Sequence, residues 1–245
     1  MRVNSASSIR AVPSTTPMNP LLLHSAAYEQ TFRRIVAAGD VAELRALKVH
    51  SKDGRKYNVV SGYYDDPAEF ARDVRMLDGR AQGVYLTLNP LKRELLDRSP
   101  NKLTPGCAAA TDADVLIRRW LLLDFDPKRP AGTSSTDIEL DAAIARAEAF
   151  WLYHRGKSGW TEPISAISGN GAHLLYPIDL PAADDGRVAG LLRKLAGLFS
   201  DHTVDLDTTV SNASRITKVY GTCTRKGEPT GERPHRRSVL LLRAE

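Results

Sequence analysis

Apolar residues along the chain switch between a helical and a strand period, and the switches divide it into elements. Positions 26–38 put Tyr28, Phe32, Ile35 and Val36 on one side of a predicted helix. Two strands are expected at 41–49 and 56–64, with Asp53-Gly54 as the turn between them. Asp66-Pro67 then opens a helix, an acid at the N-cap and Pro at the first helical position, with Phe70, Val74 and Leu77 as its apolar stripe. Positions 83–90 read as a strand closed by the Asn89-Pro90 turn. The most apolar run, Trp120-Leu-Leu-Leu-Asp124-Phe-Asp126-Pro127, reads as a buried strand. Thr136-Asp-Ile-Glu139 is a capping box ahead of a helix carrying Leu140, Ile144, Ala147 and Trp151. Strands at 163–168 and 173–178 flank Gly169-Asn-Gly-Ala172, a strong hairpin signal. A further helix carries Val188, Leu191, Leu192, Leu195 and Phe199 on one face, 203–207 alternates like a half-buried strand, and 238–242 forms a last strand. Residues 1–24, with Pro13, Pro17 and Pro20 among Ser, Thr and Asn, read as a disordered leader, which leaves 25–245 as the folded domain. The irregular mixture of helices and strands suits an α/β or α+β fold of two lobes.

Composition narrows the classes. With 42% hydrophobic and 26% charged residues the 245-residue chain has ordinary globular values. No apolar run approaches the ~20 residues of a membrane span, and the first residues lack the apolar core of a secretion signal. Cys107 and Cys223 stand far apart without CxxC spacing, which suggests neither a zinc site nor a disulfide framework and fits plain thiols in a reducing cytoplasm. The charge is uneven. From Ser211 to the end, eight Lys/Arg stand against three Glu, a surplus equal to the +5 of the entire chain. A neutral body with a basic last seventh points to an anionic partner.

Candidate chemistry starts on the apolar strand. Alternation puts Asp124 and Asp126 on one face, with Leu123 and Phe125 on the other. Two neighbouring carboxylates repel unless something positive sits between them. A divalent cation would serve, and so would Lys128 and Arg129 at an ordinary strand end. Ser168 and His173 flank the hairpin turn and could face one another across a glycine-rich tip able to hydrogen-bond a phosphate. They could equally start the turn and satisfy a carbonyl, and a Ser-His hydrolase lacks its Gly-x-Ser-x-Gly elbow here. Asp207 ends a strand as Asp126 does, with Asp205 as rival on the same face; a third carboxylate would complete a seat for paired divalent ions. Arg215, Lys218, Arg225, Lys226, Arg233, His235, Arg236 and Arg237 make the basic end. Together these describe a site for a metal-bound nucleoside triphosphate.

In this order the motifs become specific. Leu-Leu-Leu-Asp124-Phe-Asp126, Ser168-Gly-Asn-Gly-Ala-His173 and Leu206-Asp207 resemble the three motifs of the archaeo-eukaryotic primase superfamily. Tyr85-Leu-Thr-Leu-Asn89-Pro90, Ser168-Gly-Asn-Gly-Ala-His-Leu-Leu-Tyr176 and Asp207-Thr-Thr-Val-Ser-Asn212-Ala-Ser-Arg215-Ile-Thr-Lys218-Val-Tyr-Gly221-Thr look like its mobile-element primase-polymerase branch, as do Arg233-Pro-His235-Arg236 and the preceding Lys226-Gly. The resemblance spans roughly positions 41–242. It implies a two-lobed catalytic core with an RRM-like sheet bearing the acids. Asp124, Asp126 and Asp207 would hold Mg²⁺ or Mn²⁺ and carry catalysis. Ser168, His173, Arg215, Lys218 and Asn89 would bind the nucleotide, and Lys226, Arg233, His235 and Arg236 the nucleic acid. It favours Asp207 over Asp205.

The implied activity is template-directed nucleotidyl transfer from a nucleoside triphosphate to a 3′-hydroxyl on template DNA, with release of pyrophosphate. The sequence lacks GxxxxGK[ST], so a helicase or accessory domain would lie beyond the chain end, and extension of an existing 3′ end is expected over priming from scratch. The rivals are a non-catalytic replication initiator that binds DNA through the basic end, and a DxD sugar-nucleotide transferase, against which the basic end argues.

Overall fold

The structure is a computed structural model that describes residues 20–50 and 54–241, with side chains from Ala26 onward. Positions 1–19 of the expected leader lie outside the described residues, and helix α1 (Pro20–Ile35) begins earlier than composition suggests. Pro breaks a helix interior but is welcome in its first turn, so Pro20 starts the element instead of ending the leader. The expected face of α1 is the buried one, with Tyr28, Phe32, Ile35 and the following Val36 all in the core.

Strands β1 (Ala42–His50) and β2 (Lys56–Tyr64) form an antiparallel pair in register from Ala42 opposite Tyr64 to His50 opposite Lys56. Asp53 of the expected turn lies outside the described residues; Gly54 beside it takes φ +83°, a left-handed value that glycine adopts without strain. Helix α2 (Pro67–Leu77) is capped by Asp66, whose carboxylate accepts from the N–H groups of Ala68 and Glu69, and it buries Phe70, Val74 and Leu77. Strand β3 (Gly83–Thr87) stops before Asn89-Pro90, and β4 (Thr104–Pro105) is a two-residue edge.

The apolar run becomes β5 (Ile117–Pro127). Helix α3 (Asp137–His154) starts at the capping box, with Thr136 and Glu139 exchanging their reciprocal hydrogen bonds. Strands β6 (Ile164–Ile167) and β7 (Ala172–Pro181) form the hairpin, followed by α4 (Arg187–Phe199) and β8 (Val204–Leu206). Four short strands close the chain: β9 (Ile216–Lys218), β10 (Cys223–Thr224), β11 (Arg236–Arg237) and β12 (Val239–Leu241).

Two five-stranded sheets result, one ordered β4-β2-β1-β3-β9 and the other β12-β6-β7-β5-β8, with β10 and β11 as a separate pair. Every pairing between these strands is antiparallel. The second sheet is built from consecutive β-α-β-β-α-β elements whose first strand, β5, lies between the third and the fourth. That is the split β-α-β-β-α-β arrangement, to which β12 adds an edge. Helix α3 packs on β5 and β7, and α4 on β8. Leu123 and Phe125 point to that side, both fully buried, with the Phe125 ring 5.9 Å from that of Phe150 on α3. Truncating either to Ala is worth about 2–5 kcal/mol of stability. The opposite face of β5 carries Asp124 and Asp126 and faces the first sheet.

Hydrogen bonds tie the two halves of the fold together. Asn89 accepts from the N–H groups of Arg119 and Trp120 at 2.8 and 3.3 Å and donates to the Ala213 carbonyl at 2.8 Å. The Trp120 indole donates to the Ile35 carbonyl at 2.9 Å. Tyr220, just past β9, reaches His173 on β7. Cys107 and Cys223 are both free and half-buried. No helix among the described residues is long and apolar enough to cross a membrane.

Candidate functional site

Register places the acids before any side chain is considered. On one side of β5, Asp124 lies opposite His173. On the other, Phe125 lies opposite Leu206 and the Asp207 N–H donates to the Asp124 carbonyl at 2.8 Å, so Asp207 comes next in line. Directly opposed residues of an antiparallel sheet share a face. His173, Asp124 and Asp207 therefore form a row across three strands. Asp126 and its partner Asp205 make the next row.

These rows floor a cleft of about 450 Å³ between the two sheets. Asp124, Asp126, Asp207, Ser168, His173, Arg215, Lys218 and Lys226 all line it, with Tyr85 and Thr217 on the wall from the first sheet. An adjoining hollow of about 440 Å³ shares Asp126, Arg129, Asp207 and Lys226 and adds Lys128 and Asp205. A larger hollow of about 910 Å³ runs along α3, β6 and β12. It shares only His173 with the cleft, and its acids Glu148 and Glu162 stand apart from the Asp rows, so the acids expected from the sequence gather in the smaller space.

Electrostatics distinguish the acids. Burial pushes the Asp124 carboxyl up, but His173, whose Nε2 lies 3.4 Å from Oδ1, together with Arg215 and Arg129, holds it below the ordinary carboxylate range. Asp126 goes the other way. Burial and the charge of Asp124 raise it, against the pull of Arg129 and Lys226. Arg129, itself buried, donates to Asp126 at 2.8 Å, while Lys128 pairs with Asp205 at 3.3 Å. Asp207 caps the turn after β8, its Oδ1 accepting from the Thr209 N–H at 2.7 Å. Gly171 stands beside Asp126, where any side chain would collide with the Phe125 carbonyl and crowd Oδ1 of Asp126.

Two cations reach the cleft with nitrogens unspent. Lys218 is 3% exposed and its Nζ has no hydrogen-bond partner among the described residues. The Tyr85 ring, 5.0 Å away, is its near neighbour. Burial brings its ammonium down to about 8, against smaller opposing pulls from Cys223 and Asp78. Arg215 donates one Nη to the Thr209 carbonyl, while its buried Nε finds no partner among the described residues. A buried cation without a counter-charge is costly and marks a place where an anion would be accepted.

Other expected residues are placed differently. Ser168 lines the cleft, but its hydroxyl closes its own turn, accepting from the Gly171 N–H at 3.1 Å and approaching the Gly171 carbonyl at 3.2 Å. Asn89 lies outside the cleft, its amide spent on the backbone bonds that tie the sheets together. Three members of the basic end are likewise spent within the chain. Arg233 forks onto Glu139 at 2.7 and 2.8 Å. Arg236 donates to the Ser135 carbonyl at 2.5 Å and to Asp137 at 2.6 Å. His235 lies 2.8 Å from the Gly227 carbonyl. Of the four residues expected to hold nucleic acid, Lys226 alone lines the cleft. The physical reason is the acidic first turn of α3, which attracts the arginines as a helix N-terminus attracts its own carboxylates. Tyr85, Thr217, Tyr220 and Asn170 belong to the site without having been singled out for a role. All four sat inside recognised strings, Asn170 in the hairpin motif and Thr217 and Tyr220 in the one that starts at Asp207.

A divalent cation fits the donor set in a limited way. Among the described residues no three His, Cys, Asp or Glu side chains gather as a ready-made cage. Mg²⁺, however, needs only one or two carboxylates when the substrate brings phosphate oxygens. Asp124 and Asp126, on one face with a like-charge penalty on Asp126, supply such a pair. Comparison with known proteins adds no family: no family model, no curated protein and no solved structure matches this chain.

Proposed function

We propose that the chain is a template-directed nucleotidyltransferase of the primase-polymerase kind, joining a nucleoside triphosphate to a 3′-hydroxyl and releasing pyrophosphate. One observation carries the reading. Three stretches distant in sequence bring Asp124 and Asp126, His173, and Asp207 with Arg215 and Lys218 to a single cleft, acids on one wall and, on the other, cations with buried nitrogens that find no partner among the described residues. A ligand that is anionic at one end and needs metal-bound oxygens at the other matches that polarity. The split β-α-β-β-α-β sheet with the acids on its first strand also supports the RRM-like core that the sequence motifs imply.

In this reading Lys218 and Arg215 hold the triphosphate oxygens, Lys218 as a point charge and Arg215 through its free edge. His173 donates from the row beside Asp124. Asp124 and Asp126, with Asp207 beside them, would hold divalent ions. Those ions, when bound, lower the pKa of the attacking hydroxyl and neutralise the leaving pyrophosphate. Lys226, on the border of both hollows, and Lys128 face the nucleic-acid backbone. Catalysis is then positioning and charge neutralisation.

The test is incubation with template, labelled nucleotides and Mn²⁺, with and without a primer. Extension of the primed template is expected, and activity that persists in excess EDTA would contradict the metal role. A second reading, a non-catalytic DNA-binding initiator domain, is favoured by the Arg129 ion pair that already neutralises Asp126 internally. Thermal unfolding separates the two. A nucleotide with Mn²⁺ raises Tm by linkage if the site is real and leaves it unmoved if the acids are structural.

A further inference from the structure

The hairpin of β1 and β2 carries charge that neither the cleft nor the core uses. Between Lys48 and Val59 the sequence has Lys48, Lys52, Arg55 and Lys56 against Asp53 alone, with His50 among them. The neutral average of the body conceals this local surplus. Lys48, His50, Arg55 and Lys56 are all exposed. The side chains of Lys48, His50 and Lys56 have no ion-pair or hydrogen-bond partner among the described residues. Lys48 also takes φ +49°, a left-handed value that is strained for a lysine.

This charged end adjoins the cleft. Register sets Lys218, Tyr85, Arg45 and Ser61 side by side across β9, β3, β1 and β2, with Gly83, Leu47 and Val59 in the next row. Lys218, Tyr85 and Leu47 line the cleft. Val59 stands on their face one strand further out and is 40% exposed, so it prolongs the cleft wall into the open. A Cβ on Gly83 would lie 2.6 Å from Cε2 of Tyr85, so the phenol ring lies along the strand over the bare glycine, towards the row of Leu47. On the other side the Arg225 N–H donates to the Gln82 carbonyl and the Gln82 N–H to the Leu47 carbonyl, both at 2.9 Å. Exposed Arg225, next in the chain to Lys226 of the cleft, is thereby tied alongside the same rows.

A flat apolar strip edged by cations suits a single strand, whose unpaired bases lie on the strip while its phosphates meet the cations. A duplex turns its base faces inward and leaves the strip unused. We infer that the outer face of the hairpin, from Leu47 and Val59 to Lys48 and Lys56, is a docking surface for single-stranded DNA. That the strand is a template rests on the nucleotidyltransferase reading above; the surface itself rests on charge complementarity and on its continuity with the cleft. It supplies the wider nucleic-acid contact that Arg233 and Arg236, spent within the chain, do not.

Fluorescence anisotropy with a labelled oligothymidylate tests the surface, on wild type and on Lys48→Asn/Lys56→Gln. Asn takes the left-handed region more readily than Lys, and both positions are exposed, so the variant should keep the wild-type Tm. Its affinity at low salt should fall about tenfold, and the slope of log affinity against log salt should flatten by about 1.4, the share of two single-strand phosphates. If the double variant does not fold, Lys56→Gln alone decides, with half that change in slope. Unchanged affinity and slope in a folded variant overturn the inference, as does an equal loss on a duplex of the same length or a wild type that does not bind the oligonucleotide. Primer extension by the wild type judges the other reading separately. Extension together with an unaltered slope in the variant removes the surface and keeps the polymerase. A flattened slope with no extension in Mn²⁺ supports the surface and removes the polymerase.

Discussion

The cleft and the basic end are both rich in charge, and they treat it in opposite ways. Late in the basic end, Arg233, Arg236 and Arg237 are each matched by an acid. Arg233 forks onto Glu139, Arg236 meets Asp137, and Arg237 donates to Asp78 at 2.7 Å and to the Gly221 carbonyl at 2.6 Å. Asp78 in turn accepts from the Tyr28 hydroxyl and the Cys223 N–H. Burial alone would raise its carboxyl, but these donors together hold it below the ordinary range. In the cleft, Lys218 Nζ and Arg215 Nε are buried without a hydrogen-bond partner among the described residues, while Asp126 is raised in part by the like charge of Asp124. Satisfied charges hold a fold together; unsatisfied ones cost stability and are kept where a ligand completes them. Sequence alone gave both regions a ligand, because it counts charges and cannot see their partners.

Mutations can break or sharpen this contrast. The largest effect belongs to the acids. Asp124→Asn or Asp126→Asn should lower primer extension by about a hundredfold or more, in the range of losing one preorganised electrostatic group. Circular dichroism and Tm of the variants should remain those of a folded protein. Extension at wild-type rate in either variant would remove the acids from the chemistry.

Lys218 comes next, with effects of opposite sign on stability and function. Its folded pKa of about 8 lies below the ordinary 10.5. Between those values the unfolded chain binds more protons, so stability rises with pH across that window and the penalty is complete below it. Lys218→Met should therefore stabilise the protein at pH 7 by about 3 kcal/mol, an advantage that fades as pH approaches about 10. Nucleotide binding should weaken at the same time. Denaturant unfolding of both proteins at pH 7 and 10 checks the sign, and a variant less stable than wild type at pH 7 would contradict it.

Arg233→Met probes the matched side. It strands a half-buried Glu139 at the start of α3, so Tm should fall while template affinity at low salt stays unchanged. A loss of affinity without a loss of Tm would return Arg233 to the nucleic-acid interface. Smallest is Lys226→Ala, expected to reduce the slope of log affinity against log salt by about one, as for a single phosphate contact. An unchanged slope would take Lys226 off the backbone path.

Much of the fold was legible in the chain, for local reasons. The Asp66 cap, the Thr136/Glu139 box, the Asn-Gly hairpin and the apolar β5 each rest on interactions within a few residues, and each element lies where its signal stands. Strand β9 was not legible: three residues carry no periodicity, and Ile216–Lys218 becomes a strand only because β3 offers its edge. The candidate site divides in the same way. Asp124 and Asp126 share a face by strand alternation, and the Ser168/His173 turn follows from its glycines.

What the sequence by itself determined was the set of chemical groups and the faces they occupy, since alternation and turn chemistry act over a few bonds. The tertiary structure alone decided which charges found partners. It carried Asp207 beside Asp124, gave Arg233 and Arg236 to the first turn of α3, left Lys218 bare, and set Tyr220 against His173. Those outcomes depend on which strand edges and sheet faces meet across tens of residues, and electrostatic satisfaction is a property of that meeting and not of any one segment.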